Sequence, residues 1–279
     1  MKDWNMQQLL PLLKQCGQIA MKYYDNPPCE VKADNTIVTM ADKEIEALLA
    51  KEFDRPDEGV YLIGEETIAT RNRQYHESAM REICWIVDPI DGTAPYSIHL
   101  PAWGVSIGYM RNGIIEEGLL YMPATNELTI TDGLKVFCAK GLPENFDLQE
   151  MQFIKRPFDN SGVIGISQKA AKAGKFDLSN QLFAWSGCVA SFQNLFTGRL
   201  LAYVVGGKIW DVAGAIPIMQ RGGYRAVNSK GVHISTDIRN GCFNLDFDDH
   251  GCWRLNGHAV IASDETTVNY IYKHMTMPE

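Results

Sequence analysis

The sequence predicts an α+β fold, with helices flanking a largely antiparallel sheet in the first half and alternating strands and helices in the second. Residues 4–24 and 41–53 carry apolar side chains at helical spacing. Residues 103–110 and 118–122 are apolar and of strand length, and the turn-forming Arg111-Asn112-Gly113 lies between them. In the second half, short apolar runs alternate with helical patterns, which indicates a mixed architecture there too.

The first predicted helix contains Pro11, which lacks an N–H to donate. We therefore expect its regular part to begin near Leu10 and to end at Asp25-Asn26-Pro27-Pro28. A short strand is predicted at 36–39. A second helix, 41–53, follows it and leads through a turn to a strand at 60–63.

The polar residues 71–78 are predicted to form an exposed loop. Further strands are predicted at 128–131 and 135–139, on the same sheet as the hairpin. The segment 141–147 contains Pro143 and Asn145 and is the predicted junction between two subdomains. The N-terminal subdomain, 1–145, is expected to be α+β, and the C-terminal subdomain, 146–279, to be α/β.

The second half is predicted to contain strands at 163–167, 183–185, 200–205, 223–227 and 259–262, with helices between them and a last helix at 265–274. One helix is expected to open at Trp210-Asp211, with Asp211 as its N-cap, and to run to Gly222-Gly223. Pro217 lies inside that helix and predicts a kink. The segment 170–182 is predicted to be partly helical, with Gly174 as a weak point.

The composition limits the classes of function. A chain of 279 residues can form one large domain or two modest ones. Its 26 basic and 34 acidic residues give a net charge of −8, which disfavours a nucleic acid polymer as partner. A small anionic substrate remains compatible with this charge if metal ions neutralise the site.

The seven cysteines are scattered and form no C-x-x-C pair. This pattern favours reduced thiols over a zinc site or a disulfide framework. The N-terminal residues lack the basic and apolar regions of a signal peptide, and no apolar run is long enough to span a membrane. The sequence therefore predicts a cytoplasmic protein without a membrane partner.

The most informative stretch is Ile83–Thr93. Residues 83–87 predict a buried strand that ends at Asp88-Pro89, because proline has no N–H for a sheet ladder. A second acid, Asp91, is followed by Gly92-Thr93, a tight turn whose threonine can cap a short helix. Two acids beside amides that attract anions predict a site for phosphate chemistry.

Three more acids, Asp42, Glu65 and Asp211, lie at predicted ends of helices or strands, where side chains can converge on a cleft. Mg²⁺ prefers such oxygen ligands, and a two-metal site needs a bridging carboxylate. Asp88 is the predicted bridge, because a strand end holds it rigidly. Taken alone, each of these acids is more typical of a helix cap or a solvated turn; their combination suggests a metal site.

The combined motifs resemble those of the inositol monophosphatase family. They are Gly64-Glu65-Glu66, Trp85-Ile86-Val87-Asp88-Pro89-Ile90-Asp91-Gly92-Thr93, Trp210-Asp211-Val212-Ala213-Gly214 with Gly222-Gly223, and the segment from Lys32 to Asp42. The resemblance covers nearly the whole chain. It implies a layered αβαβα sandwich of two subdomains, usually a homodimer, and a Mg²⁺-dependent, lithium-sensitive phosphatase activity.

The resemblance also implies a division of labour. Glu65, Asp88 and the backbone carbonyl of Ile90 would hold one Mg²⁺, and Asp88, Asp91 and Asp211 a second. A third, weaker ion would use Glu65 and waters. The expected cofactor is therefore Mg²⁺, two or three ions in each site.

For catalysis, the resemblance implies that the N–H groups of Gly92 and Thr93 bind phosphate. Thr93, hydrogen-bonded to Asp42, would orient the metal-activated water, and Glu65 would take part as both ligand and catalytic residue. The expected substrate contacts are Asp91, Gly92, Thr93, Gly187, Cys188 and Asp211.

Some residues depart from the inositol pattern. Gly187-Cys188-Val189 stands where inositol enzymes read Gly-Thr-Ala, and Lys208 stands where they often have histidine. Val204 or Val205 lies where they place a glutamate that contacts the ring. Ala94-Pro95-Tyr96 replaces a segment that often contains phenylalanine. These changes spare the metal site and bear on the substrate.

The predicted function is hydrolysis of a small phosphorylated metabolite, first of all inositol monophosphate. The alternatives within the family are 3′-phosphoadenosine 5′-phosphate, fructose 1,6-bisphosphate and histidinol phosphate. A catalytically silent, regulatory member is the alternative of another class, but such a chain is expected to lack a metal acid or the threonine. A two-carboxylate glycosidase would not need the Gly92-Thr93 turn.

Overall fold

A computed structural model describes residues 1–32, 37–140 and 146–277. Its helices are α1 (Met6–Tyr24), α2 (Met40–Phe53), α3 (Arg73–Arg81), α4 (Thr93–Ser97), α5 (Gln168–Ala173), α6 (Cys188–Phe196), α7 (Ile209–Ala213), α8 (Ile216–Arg221) and α9 (Glu265–His274). Its strands are β1 (Cys29–Val31), β2 (Ile37–Thr39), β3 (Val60–Gly64), β4 (Ile83–Asp91), β5 (Gly104–Arg111), β6 (Ile114–Met122), β7 (Glu127–Asp132), β8 (Lys135–Lys140), β9 (Gln149–Glu150), β10 (Ile164–Ile166), β11 (Lys175–Phe176), β12 (Leu182–Phe183), β13 (Ala202–Val205), β14 (Arg225–Asn228), β15 (Ala259–Ala262) and β16 (Met275–Thr276).

Seven strands, β3 to β9, form one sheet in sequence order. Only the β3–β4 pair is parallel; the other pairs are antiparallel. Successive side chains of a strand point to opposite faces. In β4, Trp85 and Val87 accordingly pack with α1 and α2, while Cys84 and Ile86 face the other side. Helices α1 and α2 therefore cover one face of this sheet.

The second sheet has five strands in the order β12-β10-β13-β15-β14. Strands β12, β10 and β13 are parallel, and β15 runs antiparallel to both of its neighbours. Val204 of β13 packs with Val268 and Ile271 of α9, whereas Tyr203 and Val205 belong to the core on the opposite face. Helix α9 therefore covers the outer face.

Helices α6, α7 and α8 fill the space between the two sheets, and their apolar side chains join residues of both in one core. The fit to the seven-stranded sheet is close. A Cβ atom at Gly108 would lie 2.7 Å from that of Ala213, and one at Gly118 would collide with the carbonyl of Gly214. The resulting order is helices, sheet, helices, sheet, helices, so the predicted layered αβαβα architecture is confirmed.

Several predicted elements differ from the structure. Helix α1 begins at Met6, not near Leu10, because the Asn5 side chain accepts the Gln8 N–H at 3.1 Å and Pro11 is accommodated within the helix. The predicted loop at 71–78 is wrong, since α3 forms there. The Asn72 side chain caps it by accepting the Tyr75 N–H at 2.9 Å.

In the second half, the predicted single helix from residue 210 to residue 222 is two helices, α7 and α8. Pro217 causes no kink, because it lies in the first turn of α8, where its missing N–H costs nothing. Gly174 ends α5, and the chain after it is extended.

The predicted subdomain junction, 141–147, falls largely on residues 141–145, which lie outside the described residues, as does residue 36 of the predicted strand at 36–39. The division at 145/146 stays a prediction. None of the helices in the described ranges is both long and apolar enough to span a membrane.

Candidate metal and phosphate site

Strand β4 continues through Pro89 to Asp91 and does not end at Asp88-Pro89 as predicted. The register against β5 explains why. Asp88 is opposite Ser106 and Asp91 is opposite Gly104, so one extra residue of β4 bulges at Pro89-Ile90. A bulge releases the chain from the ladder, and proline is tolerated there. The bulge therefore presents Asp88, the Ile90 carbonyl and Asp91 together at one end of a buried strand.

The turn after β4 depends on Gly92, whose φ of 91° lies in the left-handed region. Gly92 is the N-cap of α4 and Thr93 its first residue, so Thr93 is not the cap that the sequence predicted. The Thr93 hydroxyl donates instead to the Ile90 carbonyl at 3.1 Å. Within the described part of the chain, the backbone N–H groups of Gly92 and Thr93 meet no protein acceptor.

Asp42 is fully buried in the first turn of α2. Its Oδ2 accepts the backbone N–H of Thr39 at 2.8 Å and the Thr39 hydroxyl at 2.5 Å, so Thr39 is the cap. Its Oδ1 lies 3.5 Å from the Thr93 Oγ1, a long hydrogen bond. Burial raises the pKa of Asp42 to about 6. The structure thus places Asp42 behind Thr93, where the sequence expected it.

Asp88 is 1 % exposed, and neither of its carboxylate oxygens has a hydrogen-bond partner among the described residues. Burial, reinforced by the charges of Glu65 and Asp91, raises its pKa well above the ordinary value. A buried carboxylate without partners is strongly destabilising unless it is protonated or a cation compensates it. Asp88 is therefore the clearest indication of a cation at this site.

Asp91 is held by the start of α6. Its Oδ1 accepts the backbone N–H of Cys188 at 2.9 Å, and its Oδ2 accepts that of Val189 at 2.5 Å. The N-terminus of a helix attracts a carboxylate in this way. Burial nevertheless raises the pKa of Asp91 to about 7. The carboxylate is thus fixed by a helix 97 residues further along the chain.

Asp211 lies in the first turn of α7 but is not the N-cap that was predicted. Its Oδ2 accepts the backbone N–H of Lys208 at 2.6 Å. The Ser106 hydroxyl donates to the neighbouring Trp210 carbonyl at 3.0 Å and ties α7 to β5. Burial, followed by the charge of Asp91, raises the pKa of Asp211 to about 7.

Glu65 directly follows β3, and its Oε1 lies 3.5 Å from the Lys32 Nζ. Burial and then the charge of Asp211 raise its pKa to about 8. Lys32 also pairs with Glu66 at 2.7 Å. The sequence did not single out Lys32 as a partner of these acids, because a lone lysine in an irregular segment is usually solvated.

One cavity of about 400 Å³ connects these groups. Its lining includes every predicted metal ligand and substrate contact: Glu65, Asp88, Ile90, Asp91, Gly92, Thr93, Gly187, Cys188 and Asp211. Single atoms of Asp91, Cys188 and Asp211 lie within 4.8 Å of one another. The structure therefore brings the predicted site residues together, with Asp42 immediately behind them.

The donor set fits a hard divalent cation. It consists of carboxylates and one backbone carbonyl, which are the oxygen ligands that Mg²⁺ prefers. Such ions would give the Asp88 oxygens a binding partner and would reduce the electrostatic repulsion between the neighbouring carboxylates. The available amides of Gly92 and Thr93 at the same cavity fit an anion such as phosphate.

Residues 6–253 match the model of the inositol monophosphatase family. The chain belongs to the inositol monophosphatase family. The prediction of a phosphoric monoester hydrolase is confirmed at the level of this family, whose members are phosphatases.

Two curated relatives and one solved structure are similar to this chain. The histidinol-phosphatase of Chlorobaculum parvum is 27 % identical over 237 residues, 78 % of this chain and 83 % of that protein. The inositol monophosphatase of Dictyostelium discoideum is 26 % identical over 251 residues, 85 % and 89 % of the two chains. The solved structure is an IMPase/NADP phosphatase complexed with Mg²⁺ and phosphate. It has a TM-score of 0.71 at 18 % identity, and the match covers 95 % of this chain and 93 % of that chain.

Proposed function

We propose that this chain is a Mg²⁺-dependent phosphomonoesterase that hydrolyses a small phosphorylated metabolite. The observation that carries the proposal is Asp88, whose buried oxygens have no protein partner among the described residues and which lies in one cavity with three other acids. The complex of the similar IMPase/NADP phosphatase with Mg²⁺ and phosphate supports the same choice of ligands.

In this proposal, Glu65, Asp88, Asp91, Asp211 and the Ile90 carbonyl hold two or three Mg²⁺ ions. Bound Mg²⁺ supplies a water of lowered pKa and neutralises charge on the phosphoryl group. The short link from strand to helix at Gly92 aims two amides at a phosphoryl oxygen. The positions of the acids are fixed in advance by α6, by Lys208 N–H and by the β4 bulge, so little reorganisation is needed when substrate binds.

Thr93 and Asp42 form the orienting pair. The Thr93 hydroxyl lies between the Ile90 carbonyl and the Asp42 carboxylate, and its oxygen can accept a hydrogen bond from a water molecule at the phosphate site. Asp42, already bound to Thr39, is the second acceptor within reach of the one Thr93 hydroxyl proton, so that proton has an acceptor whether it turns to Ile90 or to Asp42. This assigns Thr93 to the orientation of water rather than to metal binding.

Thr93→Ala tests that assignment. We expect kcat to fall by about 10²-fold, a typical loss for a positioned proton-transfer group, while the Mg²⁺ concentration for half-maximal activity changes by less than about three-fold. Steady-state kinetics over a Mg²⁺ titration would measure both. Thr93→Ser, which keeps the hydroxyl, is the matched control and should retain most of the turnover. If kcat were unchanged in Thr93→Ala, Thr93 would have no role in orienting the water.

The general test of the proposal is phosphate release from a panel of inositol phosphates, sugar phosphates and nucleoside bisphosphates, with and without Mg²⁺ and Li⁺. Mg²⁺-dependent release from any of them supports the proposal, and inhibition by Li⁺ would agree with the family resemblance. Absence of release from every compound would overturn it in favour of a catalytically silent member.

Inositol monophosphate is the substrate that the sequence resemblance put first. The Dictyostelium relative supports it, and the Chlorobaculum relative supports histidinol phosphate instead. Val204 and Val205 are both fully buried in the five-stranded sheet, one on each face. Neither can contact a polyol ring, so the structure lacks a polar contact at the positions where inositol enzymes place a glutamate.

The homodimer and the cytoplasmic location stay predictions. Sedimentation of the purified protein would test the first: a mass near twice 31.3 kDa is expected, and a mass near 31.3 kDa would contradict it.

A further inference from the structure

A second cavity, of about 610 Å³, adjoins the metal and phosphate site. The two cavities share Glu65, Lys169, Gly206 and Asp211 in their linings. Gly92 and Thr93 line the first cavity and not the second. The leaving group of a substrate whose phosphate occupies the turn would therefore extend into this second cavity.

Basic side chains line the second cavity. Lys169 lies in α5, Lys208 precedes α7, and Arg254 lies between β14 and β15. We call these three residues and the space between them the basic pocket. Its remaining wall includes glycines, which leave room for a bulky group, and three acids, of which Glu66 pairs with Lys32 and the other two are proposed metal ligands: Gly206, Gly207, Gly257, Glu65, Glu66 and Asp211.

None of the three cations has a carboxylate within 4.0 Å in the described part of the chain. Lys32, on the same cavity, pairs with Glu65 and Glu66 instead. The chain has a net charge of −8, so acidic partners are abundant elsewhere. Lys208 and Arg254 form an isolated β-bridge, and their charges counteract the rise that burial causes in the pKa of Asp211, which is a proposed metal ligand. With that acid compensated by metal, the three cations on one cavity favour a second anion there.

The Lys208 side chain is also held in place, since its Nζ lies 4.8 Å from the centre of the Trp210 ring. Its backbone N–H donates to Asp211, so the same residue connects the basic pocket to a predicted metal ligand. An anionic group in the pocket would therefore lie directly beside the site where the phosphate ester is cleaved.

We propose that the basic pocket binds a second anionic group of the substrate, so that the preferred substrate is a bisphosphate of a sugar or a nucleoside. This inference rests on the proposed phosphomonoesterase function. Water attacks the phosphorus atom of one ester, the P–O bond to the leaving group breaks, and the products are inorganic phosphate and an alcohol that keeps its second phosphate.

The basic pocket disfavours inositol monophosphate and histidinol phosphate as substrates. The leaving group of inositol monophosphate is neutral and gains nothing from three cations. Histidinol phosphate carries an ammonium group, which Lys169, Lys208 and Arg254 would repel. We therefore expect catalytic efficiency to decrease from bisphosphates to inositol 1-phosphate and further to histidinol phosphate.

Two matched pairs of compounds test the inference: fructose 1,6-bisphosphate against fructose 1-phosphate, and adenosine 3′,5′-bisphosphate against adenosine 3′-monophosphate. With Mg²⁺ present, kcat/KM should be at least about 10-fold higher for the bisphosphate in one pair, mainly through a lower KM. The pair that shows the preference distinguishes a sugar from a nucleoside. Equal efficiency within both pairs would overturn the inference.

Lys169→Gln and Arg254→Gln test whether these two side chains bind the second phosphate. In each variant, the preference for the bisphosphate should fall by at least about 10-fold, because the variant loses a charged hydrogen-bond donor to the second phosphate. Lys51→Gln, on the exposed end of α2, removes the same charge away from both cavities and should keep the preference. Thermal melting shows that each variant is folded. A preference that survives in both pocket variants would contradict the assignment.

If phosphate is released from mono- and bisphosphates with equal efficiency, only the proposal that the basic pocket binds a second anionic group is overturned. Absence of Mg²⁺-dependent release from all compounds, including p-nitrophenyl phosphate, overturns the phosphomonoesterase function and the inference that depends on it.

Discussion

Asp88→Asn is expected to reduce Mg²⁺-dependent phosphate release by about 10³-fold or more, because a metal ion contributes several kcal/mol of transition-state stabilisation. The substitution keeps the size of the side chain and removes the charge that a cation needs. In the absence of metal, the variant should melt no lower than the wild type. Its asparagine no longer places an unpartnered charge beside Glu65 and Asp91.

Phosphate release, calorimetric Mg²⁺ titration and thermal melting would measure these effects together. Asp132→Asn is the matched control, because Asp132 is an exposed acid at the end of β7 and lines neither cavity. It should leave activity and Mg²⁺ binding as in the wild type. Retention of wild-type activity in Asp88→Asn would contradict both the predicted metal site and the proposed function.

Removal of Mg²⁺ is expected to destabilise the protein, and more so at pH 8 than at pH 5. Asp91 and Asp211 have their pKa raised to about 7 and Glu65 to about 8, from ordinary values near 4. Between pH 4 and 8 the folded metal-free protein therefore holds protons that the unfolded chain has lost. Stability without metal consequently falls as pH rises through this window.

Bound Mg²⁺ compensates the ionised carboxylates, so its stabilising effect should grow over the same window. At a concentration 100 times its Kd, a ligand that binds only the folded state adds about 2.7 kcal/mol. Melting temperatures with EDTA and with excess Mg²⁺, measured from pH 5 to 8, would show the gap widening. A gap that stays constant, or that narrows toward pH 8, would argue against cation binding at these acids.

The sequence predicted much of the fold and nearly all of the acidic site. The helical spacing of apolar residues located α1, α2 and α9. The strands predicted in the first half are present as β3 to β8. The acids were identifiable because each stands in a short motif near an element end. Their convergence was inferred from several motifs together, and the cavity that contains Glu65, Asp88, Asp91 and Asp211 agrees with it.

The failures have local causes. Pro89 indicated a strand end, but a bulge can absorb a proline, and only the pairing with β5 reveals the bulge. Helix α3 was missed because its sequence is polar, with only His76 and Ala79 buried. Asp211 was taken for a cap, although Lys208 opens the helix and Asp211 lies in its first turn.

The basic pocket was beyond prediction for a different reason. Lys169 lies in a segment that resembles a solvated helix start, and Arg254 follows a tryptophan with no motif around it. They are 85 residues apart and line one cavity only in the folded chain, where β10, which precedes Lys169, pairs with β13 and Arg254 bridges to Lys208. A single sequence contains no spacing rule for such a pair.

The tether between Asp91 and the N-terminus of α6 also has a consequence for folding. Asp91 ends a strand of the seven-stranded sheet, whereas α6 packs against the five-stranded sheet through Phe192 and Tyr203. Asp211, too, is supplied by the later half of the chain. The full set of acids is therefore assembled only after both sheets have formed and docked, and a folding intermediate that contains the seven-stranded sheet alone should offer Glu65, Asp88 and the Ile90 carbonyl but not Asp211.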